Sequence, residues 1–424
     1  MKKILTSVIM LFVLFINTNV VLAQSPALDA SSYVLIDADT GNVLCEKDSN
    51  LKVFPASTTK IMTAILALEN GDLSQEMTAT QSAIDDIGEN GSNIGIIPGE
   101  TITLENLLQA LLISSANETA NIIADNICES REEFVNLMNK RANELGAVNT
   151  HFTNTNGMHD PDHYSTASDM SKIAMYAMTL PKFREIVATS SYQLPATNKH
   201  SKWPVLPNTN VLMTTDNNDL YKIDGIKTGF TGDAGYNLIC SATGNGMRLI
   251  SVVMGVKNEG AKVNVRTYSK ELLDYGFNNF KKVDLAKKND VFRNVKVEEA
   301  EDAFGLDLIF TDSLTCILPN TASRDNIKMI AFVEDKISAP VNKGDIMGYV
   351  EYYNNGLFMG KIEVIASRNI ANKPLPPTLK EKITNAIKST FAKIALGVAG
   401  FLLFFIILRK TLRFISRRVH SKKL

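Results

Sequence analysis

Residues 54–70 read FPASTTKIMTAILALEN. The apolar run after Ser57 has helical spacing and stops at Gly71, which predicts a helix opening at Ser57. Lys60 lies three residues on, and so on the same helix face as Ser57. A serine hydroxyl is a poor nucleophile until a base takes its proton. Lysine can be that base only when neutral. Moving its pKa from about 10.4 to about 7 takes roughly 4–5 kcal/mol of bias against the charged form. Burial and a nearby like charge can supply it, and a helix N-terminus favours developing negative charge. Without support from elsewhere in the chain, the same pair is an N-cap serine and a solvated lysine.

Two further motifs give that support, in chain order. Ser115-Ala116-Asn117 interrupts an apolar helical pattern over residues 103–126. Lys227-Thr228-Gly229 precedes a strand pair at 236–256. Ser115 offers a hydroxyl to relay a proton to a leaving amine, and Asn117 a donor and an acceptor to hold substrate and Lys60 together. Lys227 and Thr228 suit a terminal carboxylate, and Gly229 lets a substrate backbone approach the strand. Each motif alone is common: Ser49 and Lys52 repeat the first, Ser367-Arg368-Asn369 the second. Those copies fall in a loop and in a β segment and read as chance matches. The ordered triple is a set known for acyl-serine enzymes.

Around these motifs, residues 32–47 read as a hairpin, 133–145 as a helix ending at Gly146, and 265–277 as a closing helix. Strands at both ends of a helical middle predict a mixed α/β domain over 24–284. Residues 285–370 change to short alternating runs with a strong Asn354-Asn355-Gly356 turn, a small all-β domain. Pro-rich 371–389 reads as a linker.

The ends set the compartment. Residues 1–23 carry two lysines, an apolar run and a small residue at Ala23, a secretory signal peptide. Residues 390–408 are 19 residues or roughly 28 Å of helix, enough to span a bilayer if Lys393 snorkels. The stretch is apolar all round, which favours a transmembrane helix over one lying on the surface. Residues 409–424 hold seven cations and no acid, so the positive-inside rule keeps this tail cytoplasmic. An exported domain anchored to the outer face of the cytoplasmic membrane follows.

The chain has 424 residues, 45% hydrophobic and 21% charged, with a net charge of −1. Bulk disorder is excluded. The basic ends leave 24–408 acidic, which argues against a nucleic-acid partner. The spacings of Cys45, Cys128, Cys240 and Cys316 show no disulfide framework, so buried free thiols are expected. His159-Asp160-Pro161-Asp162-His163 reads as a polar loop, not a metal site. No phosphate-binding glycine motif points to a nucleotide cofactor, and none is expected.

The segments DADTGNVLCEKD, FPASTTKIMTA, LLISSANETAN, NTNGMHDPDHYSTASDM, DGIKTGFTGDAGYNLICSATGNGMRLISVVMG and APVNKGDIMGYVEYYNNG resemble, in order, the serine-type D-alanyl-D-alanine carboxypeptidases, the low-molecular-mass penicillin-binding proteins. The resemblance covers nearly the whole chain. It implies a transpeptidase/β-lactamase-like domain, then a small β domain, then a membrane anchor. It implies peptidoglycan stem peptides as substrates and β-lactam antibiotics as covalent inhibitors. By position, Ser57 is the implied nucleophile and Lys60 its base. Ser115 and Asn117 form the implied second motif, and Lys227, Thr228 and Gly229 the third. Backbone N–H groups of Ser57 and Phe230 are the implied oxyanion hole, and Arg248 a candidate for the substrate carboxylate. Phe230 stands where some relatives carry a polar residue. A D,D-endopeptidase, a β-lactamase and a non-catalytic β-lactam sensor are the alternatives. The β domain and anchor are surplus to a β-lactamase, and a pure binder has no need of Lys60.

Overall fold

A computed structural model describes residues 25–420 apart from 89–90, 217, 302–303 and 335. The signal peptide expected over 1–23 lies outside the described residues.

The chain divides into two compact units. The first is built on a five-stranded antiparallel sheet that joins the two ends of its sequence. Strands β1 (Ser32–Asp37) and β2 (Val43–Lys47) form the expected hairpin. β3 (Lys222–Thr231), β4 (Gly235–Gly244) and β5 (Met247–Val256) form a meander. β1 pairs with β5, so the order is β2-β1-β5-β4-β3 and β3 lies at an edge. Lys227-Thr228-Gly229 therefore sits inside a strand of its own, β3, ahead of the expected pair β4 and β5.

Both sheet faces are covered, and alternation along the strands shows it. Val34 and Ile36 point into one apolar cluster, Tyr33 and Leu35 into the other. The larger cluster is formed with α1 (Lys60–Asn70) and α2 (Asn117–Ile127), among other helices. Every α1 residue from Lys60 to Ala67 is buried, as an almost uniformly apolar helix requires. The opposite face is covered by α3 (Ala261–Asn279), the expected closing helix. Cys45, Cys240 and Cys316 are buried thiols and Cys128 is half-buried. Burial pushes the Cys45 and Cys240 thiols up to about 12.

Strands Phe280–Ala286 and Leu314–Pro319 pair with each other. A second five-stranded sheet runs in the order Val291–Val295, Leu306–Phe310, Leu357–Ala366, Ile346–Asn354, Ile327–Val333. Asn355 and Gly356 both take positive φ in the turn between Ile346–Asn354 and Leu357–Ala366, as that turn chemistry requires. The linker read over 371–389 is only partly one: Leu379–Lys388 is a helix, started by a reciprocal capping box between Thr378 and Glu381. The helix Thr390–His420 follows. Within it, 390–418 is long and apolar enough to cross a membrane by length and composition, and none of its apolar window is buried. Arg409, Lys410, Arg413, Arg417 and Arg418 lie within this helix.

Candidate active site

The chain enters the site through a single 3-10 turn, Ala56–Thr59, ahead of α1. Ala56 is buried with φ +50°, a left-handed conformation that costs a non-glycine residue energy. Three side chains hold the turn. Thr58 Oγ1 donates to the Pro55 carbonyl at 2.7 Å. Asn237 Nδ2 in β4 donates to the Phe54 and Pro55 carbonyls at 2.9 and 3.0 Å. Thr59 Oγ1 meets His163 Nε2 at 2.8 Å, while His163 Nδ1 accepts from Thr153 N at 3.0 Å. Burial lowers the His163 imidazole to about 4, so it stays neutral near pH 7.

Ser57 does not cap the helix. Its Oγ lies 2.9 Å from Lys60 Nζ. The same nitrogen lies 2.6 Å from Asn117 Oδ1 and 2.8 Å from the Asn156 carbonyl. Lys60 is completely buried. Burial first and the Lys227 charge second hold its pKa well below the ordinary lysine value, with Glu118 opposing. The solvated-lysine reading is thereby excluded.

Ser115 and Asn117 reach the same point from a break in the helical layer. Leu104–Gln109 runs into a π-helical turn, Ala110–Ser114, and Ser115 then adopts φ +66°. The π turn and left-handed residue swing the Ser115 side chain into the cleft, a geometry favoured at functional sites. Its hydroxyl makes no hydrogen bond among the described residues. Asn117 begins α2, and its Nδ2 donates to the Ile87 carbonyl at 2.9 Å, which turns Oδ1 toward Lys60. Glu118 beside it is buried, and its carboxylate accepts from Ile94 N at 2.7 Å.

The third motif comes from edge strand β3. Lys227 is buried, and burial lowers it to about 7. Its Nζ donates to the Thr228 carbonyl at 3.0 Å, and Thr228 Oγ1 donates to Thr209 Oγ1 at 2.8 Å. A Cβ on Gly229 would stand 2.9 Å from the Pro55 carbonyl oxygen and 3.2 Å from Ser57 N. Glycine is thus needed first for the strand to touch the Ser57 turn, and not only for a ligand to approach. Phe230 is 53% exposed, its ring 4.3 Å from Tyr236. Ser57, Ser115, Asn117, Thr228 and Gly229 open into one cleft of about 740 Å³.

Arg248 is a correction. It sits in β5 opposite Thr243, which faces Lys222, at the end of β3 away from Gly229. Its guanidinium donates to Asp224 Oδ2 at 3.2 Å and to Thr243 Oγ1 at 3.1 Å. Five residues of strand, roughly 17 Å, separate Asp224 from Gly229. The arginine that lines the cleft is Arg266 of α3.

Sequence reading also missed Asn156, Gly157, His163 and Asn237, which act through carbonyls and turn contacts. Gly157 has φ +86°, and a Cβ there would lie 1.9 Å from the Ala56 carbonyl oxygen. Gly157→Ala is expected to lower the melting temperature by about 3 °C or more, since the left-handed conformation alone costs about 1–2 kcal/mol. An unchanged melting curve would contradict the packing described.

Residues 19–258 match the family model described as D-alanyl-D-alanine carboxypeptidase, Peptidase S11. Residues 280–372 match the C-terminal domain of penicillin-binding protein 5. The chain belongs to the D-alanyl-D-alanine carboxypeptidase family. It is 33% identical to the D-alanyl-D-alanine carboxypeptidase DacF of Bacillus subtilis, over 88% of this chain and 90% of that one. It is 30% identical to DacC of Escherichia coli, over 82% and 86%. Penicillin binding protein 5 from Haemophilus influenzae superposes with a TM-score of 0.67 at 28% identity, covering 82% of this chain and 99% of that one. The resemblance read from the sequence and the fold class it implied are both borne out. The protein is a peptidase of this hydrolase family.

Proposed function

We propose that this carboxypeptidase removes the terminal D-alanine from peptidoglycan stem pentapeptides through an acyl-enzyme on Ser57. The observation that carries this reading is the buried Lys60 Nζ, 2.9 Å from Ser57 Oγ and held by Asn117 and Asn156. Neutral Lys60 takes the Ser57 proton as Oγ attacks the penultimate carbonyl. N–H groups of Ser57 and Phe230 receive the developing oxyanion. Lys227 and Thr228 hold the terminal carboxylate. Ser115 passes a proton to the departing amine, and water then releases the shortened peptide. A requirement for a free carboxylate after the scissile bond favours a carboxypeptidase over an endopeptidase. β-Lactams, as mimics of that terminus, acylate the same serine.

In this reading, residues 1–23 export the chain, 24–284 form the catalytic domain and 285–370 the β domain. Residues 371–389 connect it to a membrane span at 390–408, with 409–424 in the cytoplasm. The catalytic domain then faces the wall from the outer surface of the cytoplasmic membrane.

The activity is tested by giving the full-length, detergent-solubilised protein a pentapeptide and a cross-linked peptide dimer. Release of D-alanine from the pentapeptide with the dimer intact supports the proposal. Cleavage of the dimer alone would overturn it in favour of an endopeptidase.

The lowered Lys60 pKa fixes a pH dependence. An ordinary lysine is protonated below about pH 10 and inactive as a base. Here the neutral fraction is substantial at much lower pH. The rate of Ser57 acylation by penicillin should rise with pH along one limb as Lys60 deprotonates, and that limb should lie well below pH 10. Stopped-flow acylation from pH 5 to 10 measures it, and a rate still climbing tenfold per unit at about pH 9–10 would contradict a depressed Lys60.

A further inference from the structure

Taking the Ser57 proton makes Lys60 cationic in a fully buried place that already holds buried Lys227. Two buried cations without an anion are costly. A base held too far below its ordinary pKa is also a weak proton acceptor. One acid answers both problems. Glu118 follows Asn117 in the first turn of α2 and is only 1% exposed. The charged groups that act on Lys60 are Lys227 of β3, which lowers its pKa, and Glu118 of α2, which raises it. Burial pushes the Glu118 carboxyl above its own ordinary value, with the nearby amides of residues 94–96 opposing. Its Oε2 is buried with no hydrogen-bond partner among the described residues. A buried oxygen left unpaired is not an arrangement that stability favours.

Glu118 also grips the chain that packs on Asn117. Its Oε1 accepts from Ile94 N at 2.7 Å. Asn117 holds the same segment through its backbone N, which donates to the Ser92 carbonyl at 2.7 Å, and through Nδ2, which donates to the Ile87 carbonyl at 2.9 Å. A Cβ on Gly91 would stand 2.8 Å from that Nδ2. Gly91 and Ser92 line the cleft. These contacts turn Asn117 Oδ1 toward Lys60 Nζ, 2.6 Å away. We propose that Glu118 is a positioning residue for acylation: it is the fixed counter-charge to Lys60 and the anchor of the segment that holds Asn117 against it. This inference rests on the acylation of Ser57 proposed above and deepens it.

The two roles separate in two variants of the full-length, detergent-solubilised protein. Glu118→Gln keeps an oxygen for Ile94 N and removes the charge. Glu118→Met removes both. Stopped-flow acylation by a chromogenic β-lactam, run against its concentration from pH 5 to 10, reads the maximal rate, the half-saturating concentration and the rising limb. Glu118 raises the Lys60 pKa, so its loss lowers it, and the limb should move to lower pH in Glu118→Gln. The maximal rate should fall about threefold to tenfold, as for a weakened base, with the half-saturating concentration unchanged. In Glu118→Met the rate should fall about 10–100-fold, and the half-saturating concentration should rise as the Gly91–Ser92 wall is released. A residue that only stabilises the fold would lower the melting temperature and leave the limb where it is. A limb and maximal rate kept at wild-type values in Glu118→Gln, or a limb moved to higher pH, overturns the proposal even where Glu118→Met fails to fold. Failure of the wild-type protein to acylate at any pH would overturn the Ser57 reading itself.

Discussion

Ser57→Ala is expected to abolish covalent labelling by penicillin and to lower the turnover number by about 10⁶-fold, the scale of losing a catalytic nucleophile. Ser57 Oγ is the hydroxyl beside Lys60 Nζ, and the cleft opens at that point. Ser115 also opens into the cleft but has no hydrogen bond to a base among the described residues. The substitution removes one oxygen from a turn held by Thr58, Thr59 and Asn237, none of which bonds the Ser57 side chain. The fold should therefore survive, and reversible penicillin binding should persist without the covalent adduct. Mass spectrometry of the intact protein after penicillin treatment reads this directly. An adduct retained on the variant would sink the nucleophile assignment.

Lys60→Met should lower the acylation rate by about 10³–10⁴-fold, the upper range for loss of a general base. Methionine is unbranched and apolar, so the buried volume is kept while the titrating nitrogen is lost. The rising limb of the pH profile should disappear with it. Lys60→Arg should not rescue the rate, because a guanidinium stays protonated and cannot accept the serine proton. Single-turnover acylation by a chromogenic β-lactam measures all three statements. Rescue by arginine would mean that the residue at position 60 supplies charge rather than a base.

How much of this was legible beforehand depends on the range of the interaction. Ser57 and Lys60 are joined by local helix geometry, so their spacing reported their contact. The break at Ser115 was visible because polar residues interrupt an apolar period. Its π turn and positive φ were not, since they answer to packing. Arg248 was misplaced because a resemblance by position does not say which end of the ten-residue strand β3 its side chain reaches. Arg266 was hidden for the related reason that α3 reaches the cleft only by folding back over the sheet. Asn156 contributes a backbone carbonyl, which no residue type advertises. Gly157 sits in a polar loop where glycine is common, yet it abuts Ala56. The helix Leu379–Lys388 did carry a readable signal, the Thr378 to Glu381 capping box ahead of apolar residues at positions 379, 383 and 387.

On the proposed mechanism, buried Lys60 makes Ser57 a D-Ala-D-Ala hydrolase. The most direct test is D-alanine release from diacetyl-L-Lys-D-Ala-D-Ala by the full-length protein, with and without prior penicillin. Release that penicillin abolishes, in step with one adduct per chain, is the predicted result. No release from a protein that still takes up penicillin covalently would contradict it.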